Sequence, residues 1–261
     1  MGLIKEKINI LSNTLDKYIY CDKMDNNILV KKGILNTDNS DAVISNNIKI
    51  VVGENQYLII VHNNEIIDST TESGVYIFEE ESELDDVYAY FINSSYIDDN
   101  KFKTKNPIQY FDNNLNITID IKCYGKYVIQ IIDPIKFYNQ NIKTDDFKNL
   151  FLSKFLENFE VAISKLSEKK LSYDNLTDSM DEVTNVFREV LKSYCEECGI
   201  NIINVSISSV TPTIESFELI KQKYKEKTKE EIMEEKQNIC PICETTLPED
   251  AKFCFKCGNE I

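Results

Sequence analysis

The chain has 261 residues, of which 42% are hydrophobic, so it is long enough for one large domain or two smaller ones with a buried core. Its 44 Asp and Glu residues outnumber its 29 Lys and Arg residues, and the resulting net charge of −15 disfavours binding to nucleic-acid phosphates. No run of 18 apolar residues indicates a membrane span, and the N-terminus lacks the pattern of a signal peptide. We therefore expect a cytoplasmic protein, in which cysteines bind metal or remain thiols rather than form disulfides.

The first predicted element is an amphipathic helix over residues 3–20. Its apolar residues recur every three or four positions, which places them on one side of a helix. These residues are Ile4, Ile8, Leu11, Leu15, Tyr18 and Ile19. Two roles remain open for this helix: packing against the core of the protein, or lying in the surface of a membrane with a weakly charged polar face.

Residues from about 28 to 133 are predicted to form strands, because short β-branched and aromatic runs are separated by Asn, Asp, Gly and Ser. The segment 61–67 is predicted to be a hairpin, since the pair Asn63 and Asn64 tolerates the positive φ of a tight turn. In the segment 117–132, apolar residues occupy alternate positions. This alternation predicts a strand with one buried face.

The pattern becomes helical from about residue 146. A second helix is predicted over residues 174–197, and Gly199 provides its C-terminal stop. One more strand is predicted over residues 200–210. Pro212 is then predicted to open a last helix that is dense in charge. This helix is either an exposed connector or part of a coiled coil formed only with a partner.

The end of the chain carries two Cys-x-x-Cys pairs separated by ten residues, which comprise Cys240, Cys243, Cys254 and Cys257. Two residues between cysteines let both sulfurs of a tight turn reach one ion, and two such turns supply a closed tetrahedral site. Gly258 permits the second turn, whereas Glu244 occupies the corresponding place in the first. We predict one structural zinc ion here, in a zinc ribbon whose folding depends on the metal.

Other residues that could carry chemistry have simpler interpretations. Cys195 and Cys198 form a further Cys-x-x-Cys, but two glutamates between them raise thiol pKa values, which favours an incidental pair over a redox site. His62, the only histidine, lies in the predicted hairpin without a nucleophile pattern near it. The nucleotide-binding glycine motifs and the His-Glu-x-x-His motif are absent from the sequence. These residues and motifs therefore single out no catalytic site.

Several short segments occur in a characteristic order along the chain. They are VISN at 43–46, ENQYL at 54–58, NEIID at 64–68, SGVY at 73–76, NKFKTKNPI at 100–108, YGKY at 124–127 and DPIKF at 133–137. In this order they resemble the SPFH (stomatin/prohibitin/flotillin/HflK, or band-7) domain, and the later segments resemble its soluble virion-core-protein-like branch. Three positions depart from the usual pattern, because Ser73 replaces a proline, Lys103 a glycine and Cys198 a residue that is often basic.

The resemblance implies an α+β fold in which a strongly bent, β-rich domain is followed by helices. Combined with the motifs above, it predicts four segments. They are an N-terminal amphipathic helix at 1–22, an SPFH domain at 23–211, a charged helical connector at 212–238 and a zinc ribbon at 239–261.

The resemblance also implies a bacterial, non-enzymatic scaffold that forms homo-oligomers at the cytoplasmic face of a membrane, with a link to envelope stress. The expected partners are further copies of the chain, a membrane-bound or membrane-stress protein, and a peripheral contact with the membrane, but not nucleic acid. Two alternatives remain open. One is a monomeric zinc-ribbon adaptor without a membrane role, and the other is a thiol oxidoreductase that uses Cys195 and Cys198.

Overall fold

A computed structural model of the chain describes residues 2–5, 17–25, 28–45, 47–79, 85–140, 144–237, 240–245, 247–248 and 251–260. Within these ranges the chain forms thirteen strands in three sheets and six α-helices. Strands fill most of the first half, and helices follow from residue 134 onward. The fold is α+β, which confirms the class predicted from the sequence.

The elements are numbered in chain order. The strands are β1 (Gly2–Lys5), β2 (Tyr18–Tyr20), β3 (Val30–Lys32), β4 (Ile34–Leu35), β5 (Lys49–Val52), β6 (Gln56–His62), β7 (Glu65–Thr70), β8 (Gly74–Glu79), β9 (Val87–Asn93), β10 (Ile97–Lys103), β11 (Ile108–Asp112), β12 (Ile117–Ile131) and β13 (Ile200–Pro212). The helices are α1 (Pro134–Asn139), α2 (Thr144–Glu157), α3 (Phe159–Glu168), α4 (Met180–Val190), α5 (Lys192–Cys198) and α6 (Ile214–Gln237). A 3-10 helix, Tyr173–Thr177, precedes α4.

Two hydrophobic cores share the middle sheet, whose strand order is β3-β9-β6-β7. One face of β6 packs through Leu58 and Ile60 against the first sheet, of order β1-β8-β5-β2-β4. The opposite face, with Ile59 and Val61, belongs to the core formed by the third sheet and the helices. Because β6 is buried on both faces, it reads in the sequence as a continuous apolar run rather than an alternating one.

The third sheet is built around β12. The strands β10 and β11 pair with one edge of β12, and β13 pairs with the other. Buried and outward residues alternate along all fifteen residues of β12, as predicted. The buried face meets a group of phenylalanines from the helices, among which the rings of Phe155 and Phe187 stack with centroids 4.5 Å apart. The outward face of the sheet is left to solvent over much of its area.

Two β-bulges bend β13 against β12. Ser208 and Ile203 are the extra residues at the two register shifts between these strands. Beside the first bulge, β13 approaches β12 so closely that only a glycine fits. A Cβ added to Gly125 would lie 2.1 Å from the carbonyl oxygen of Ser206 and 2.6 Å from the ring of Phe102.

The predicted N-terminal helix is wrong at both of its ends. Gly2–Lys5 is β1, which pairs with β8, and Tyr18–Tyr20 is β2, which pairs with β4 and β5. Residues 6–16 of that prediction lie outside the described residues. The physical reason is tertiary, because the ladder with β8 satisfies the backbone of β1 and the Leu3 N–H also bonds to the Asp68 carboxylate.

The helix predicted over residues 174–197 is interrupted. It divides into α4 and α5 at Leu191, a buried residue whose φ of −96° and ψ of 6° leave the helical region. Gly199 then ends α5 in the left-handed conformation with a φ of 68°, as predicted. The amphipathic pattern continues across Leu191, so periodicity alone does not show the break.

The last helix begins two residues later than predicted. Pro212 belongs to β13, and α6 starts at Ile214. A proline fits an edge strand because its missing N–H is not needed for the ladder on that side. Thr213 caps the helix instead, since its Oγ1 accepts a hydrogen bond from the Ser216 N–H at 3.3 Å.

Candidate metal centre

The sulfurs of the four tail cysteines converge on one point. All four Sγ atoms lie within 4.8 Å of one another. The Sγ atoms of Cys240 and Cys257 are 3.5 Å apart, and those of Cys243 and Cys254 are also 3.5 Å apart. A tetrahedral zinc ion with Zn–S bonds of about 2.3 Å places its sulfurs roughly 3.8 Å from one another. The arrangement therefore fits a single four-coordinate ion with little movement.

The two cysteine turns share one backbone pattern. In each turn, the N–H four residues after the first cysteine donates to the carbonyl oxygen of that cysteine, at 2.9 Å from Glu244 and 2.8 Å from Gly258. The N–H of the first cysteine donates to the carbonyl five residues further on, at 2.8 Å for Cys240 and 2.7 Å for Cys254. Glu244 and Gly258 both have positive φ, at 53° and 75°. Glu244 thus occupies a position that suits glycine, as the sequence indicates.

Very little apolar surface is buried around the sulfurs. Leu247 is the one fully buried aliphatic side chain among the described residues of the tail, and Ala251 packs beside it. A core of this size contributes little folding free energy, so such segments depend on a metal or another staple. Metal binding would therefore supply most of the stability of the tail.

The electrostatics of the cluster favour a bound cation. Hydrogen bonds from Thr245, including one between its Oγ1 and the sulfur at 3.2 Å, lower the pKa of Cys243 to about 6. The backbone N–H of Asn259 lowers the pKa of Cys257, but desolvation and the neighbouring thiols outweigh it and raise that pKa to about 12. Neighbouring thiolates repel one another, and a divalent metal ion removes this repulsion. The four-sulfur set leaves no open coordination position and fits a structural role.

Three large apolar side chains of the tail point outward. They are Ile242, Phe253 and Phe255, which are 69%, 59% and 75% exposed. Phe253 and Phe255 flank the buried Cys254, and both rings lie on the outside of the tail. The sequence analysis did not single out these residues. The available signal was the placement of three large apolar residues in a segment too short to bury them.

Cys195 and Cys198 lack the exposure and the lowered pKa values that reactive thiols have. Both are buried in α5, and burial raises the pKa of Cys195 to about 12 and also raises that of Cys198. Within the described ranges, the tail cysteines are the one cluster of three or more Cys, His, Asp or Glu residues that could hold a metal. The structure therefore gives Cys195 and Cys198 the properties of small core residues.

His62 ends β6 at the predicted hairpin. Asn63 and Asn64 form the two-residue turn with φ values of 50° and 66°, and His62 pairs with Glu65 across it. The His62 ring is partly exposed, and its Nε2 lies 3.1 Å from the amide nitrogen of Asn63. This contact is local to the turn and does not resemble a catalytic pair.

None of the described helices has both the length and the apolar character needed to cross a membrane.

The body of the chain matches a known protein family. The sequence profile of the SPFH domain–Band 7 family matches residues 36–229, from the end of β4 into α6, and stops before the four tail cysteines. No curated protein sequence matches the chain. Since the family match covers more than half of the sequence, the protein belongs to the SPFH domain–Band 7 family.

Proposed function

We propose that the protein is a non-enzymatic scaffold that forms homo-oligomers at the cytoplasmic face of a membrane and recruits partners through a zinc ribbon. The observation that carries this proposal is the family match over residues 36–229. The proposal divides the chain into an SPFH domain at 23–211, a helical connector at 212–238 and a zinc ribbon at 239–261. The first 22 residues are not a single helix in this proposal, because Gly2–Lys5 and Tyr18–Tyr20 are strands.

Zinc is the ion proposed for the cysteine cluster. Soft thiolate ligands in a tetrahedral arrangement suit zinc, and the sulfur spacing agrees with its bond lengths. The role is structural, because four protein ligands would leave no position for water or substrate. Cys240, Cys243, Cys254 and Cys257 are the proposed ligands.

Partner recruitment is proposed for the outward side of the ribbon. Exposed aromatic and aliphatic residues are the usual anchors of protein–protein contacts. The ribbon offers Ile242, Phe253 and Phe255 on a frame that one metal ion would hold rigid. A membrane-bound or membrane-stress protein of the cell envelope is the proposed partner.

Self-assembly is proposed to involve α6. This helix has 24 residues and is therefore about 36 Å long. Ile214, Phe217 and Tyr224 are exposed on it, whereas Ile220 is buried in the body. Apolar residues that the chain leaves exposed on a long charged helix support contact with another copy.

The first test is the absolute mass of the purified, metal-loaded chain by light scattering after size exclusion. We expect a discrete, large multiple of the 30.2 kDa chain mass. Replacing Phe217 and Tyr224 by serine should lower this mass, whereas the control Gln222→Ser with Lys225→Ser, at exposed polar positions of the same helix, should not. A monomer at every concentration would contradict the scaffold and favour a monomeric zinc-ribbon adaptor.

Metal content tests the ribbon separately. We expect one zinc ion per chain by elemental analysis, and none after Cys243→Ser with Cys254→Ser. The matched control, Cys195→Ser with Cys198→Ser, should keep its zinc because those thiols lie in the body. Zinc loss in the control, or zinc retention in the ribbon variant, would contradict the proposed ligand set.

A further inference from the structure

The outward face of the third sheet concentrates positive charge on an acidic protein. Lys101 and Lys103 of β10 and Lys122 and Lys126 of β12 all point to solvent on this face, around the exposed ring of Tyr124. We call these five residues the basic face. The chain as a whole has a net charge of −15, so four lysines in one place are a local reversal of its sign.

The strand register brings these side chains close together. Lys101 lies directly opposite Lys126, and Lys103 lies directly opposite Tyr124. Directly opposite residues have Cβ atoms about 5 Å apart. Residues two apart on a strand are roughly 6.7 Å apart, so the four lysines lie within about 15 Å.

This arrangement has a cost in the absence of a ligand. Like charges directly opposite one another on a sheet destabilise it, and a carboxylate at either position would remove the repulsion. In the described part of the chain, none of the four lysines makes an ion pair. Asp120 is the one acidic residue of β12, and it lies beyond Lys122 at the end of the basic face.

Protection of a sheet edge would explain the two lysines of β10 but not the two of β12. Lysines on edge strands discourage unwanted pairing with other chains, and β10 is an edge strand. Lys122 and Lys126 lie on β12, which has partners on both edges. Their charge needs another explanation, and an anionic ligand on the face of the sheet provides one.

We infer that the basic face binds the anionic headgroups of a membrane surface. Four amines on a sheet face present positive charge to many headgroups at once. Tyrosine is enriched at the boundary of lipid and water, where its ring contacts lipid and its hydroxyl contacts water. On the neighbouring strand, Ser206 and Ser209 pair with Lys126 and Tyr124 and add hydroxyl groups beside them. The negative charge of the rest of the chain turns the basic face towards an anionic surface and the other faces away.

A nucleic acid is the less favoured occupant. Its phosphates would meet the same lysines, and the net charge of −15 opposes long-range attraction to a nucleic acid and to an anionic membrane alike. The exposed ring of Tyr124, which suits the boundary of lipid and water, favours the membrane. Arginine, which suits phosphate forks, is absent from the basic face. The inference therefore rests on the proposed membrane role, to which it adds the surface that meets the lipid.

The test is sedimentation of the full-length, metal-loaded protein with vesicles of phosphatidylcholine, alone or mixed with phosphatidylserine. The first variant replaces the four lysines by glutamine: Lys101→Gln, Lys103→Gln, Lys122→Gln and Lys126→Gln. The matched control removes the same charge from the helices: Lys136→Gln, Lys154→Gln, Lys192→Gln and Lys225→Gln. Each lysine near an anionic surface changes binding roughly fivefold, so four of them together correspond to about 600-fold. We expect the first variant to lose vesicle affinity on that order and the control to lose much less.

Further readouts separate this inference from the proposed function. The first variant should unfold at no lower a temperature than wild type, because it loses a repulsion rather than a contact. Binding of wild type should fall as salt is raised, since the Debye length shrinks from about 10 Å at 0.1 M to 3 Å at 1 M. If the first variant binds vesicles as tightly as wild type does, the basic face is overturned and the proposed membrane role still stands. If wild type sediments with none of the vesicles but binds RNA, both the lipid-binding basic face and the proposed membrane role are overturned.

Discussion

The body of the protein and its ribbon are stabilised by different physical means. In the body, rings of Phe102, Phe155, Phe159 and Phe187 contact one another with centroids 4.5 to 5.9 Å apart inside a continuous core. In the ribbon, the buried cluster is two cysteines and one leucine, with Cys243 and Ala251 beside them. Hydrophobic burial can therefore hold the body without any ligand, whereas the proposed ribbon would depend on an ion.

Removal of the metal should give the largest difference in stability between the ribbon and the body. Structural zinc contributes on the order of 10 kcal/mol in small zinc modules, so a chelator should unfold the ribbon and leave the body intact. Hydrogen-exchange mass spectrometry would show loss of amide protection in residues 240–260 and unchanged protection in β6 and β12. Loss of protection in both regions would show that the ribbon also stabilises the body.

In the body, the largest effect of one substitution is expected at the bulge between β12 and β13. Gly125→Ala would place a Cβ 2.1 Å from a backbone oxygen, and the two strands would have to separate. We expect a loss of about 3 kcal/mol in the free energy of unfolding, measured by urea denaturation with the metal bound. Gly2→Ala is the control, because its nearest atom would be 3.4 Å away. Equal losses in both variants would contradict the close approach.

A polar contact between the helices and the sheet should give the next largest effect. The carboxylate of Asp112 is fully buried and accepts from the N–H groups of Asn114 and Leu115, the Ser172 hydroxyl and the Tyr173 N–H, at 2.8 to 2.9 Å. In Asp112→Asn, an amide NH2 would face one of these donor pairs.

We expect this substitution to cost about 2 kcal/mol in the free energy of unfolding, because a buried donor then loses its acceptor. Urea denaturation measures it, with Asp174→Asn at an exposed site as the control. A variant as stable as wild type would show that Asp112 does not need its charge.

Sequence patterns predicted the parts of the fold that depend on neighbouring residues in the chain. The alternation along β12, the Asn63-Asn64 turn and the stop at Gly199 each follow from the residues that form them. The cysteine spacing likewise predicted which sulfurs would meet. β1 was missed because it depends on pairing with β8, more than 70 residues away.

Two further features depend on contacts between residues that are distant in the sequence, so sequence patterns did not indicate them. Lys101 and Lys126 become neighbours only when β10 and β12 pair, so sequence spacing gave no indication of the basic face. Asp112 is one of many acidic residues in the sequence, and only the fold shows that it is buried.

The smallest expected effect lies in the ribbon, where the two equivalent turns carry different residues at the position of positive φ. Glu244 has the left-handed conformation that Gly258 has in the second turn, and a non-glycine residue there costs roughly 1 kcal/mol. Glu244→Gly should therefore strengthen zinc binding about fivefold, whereas Gly258→Ala should weaken it by a similar factor. Space does not explain the second effect, because a Cβ at Gly258 would meet no atom within 4 Å. Competition with a chromophoric chelator measures both affinities. If Gly258→Ala bound zinc as tightly as wild type, backbone conformation would not limit the turns, and Glu244 would need a different explanation.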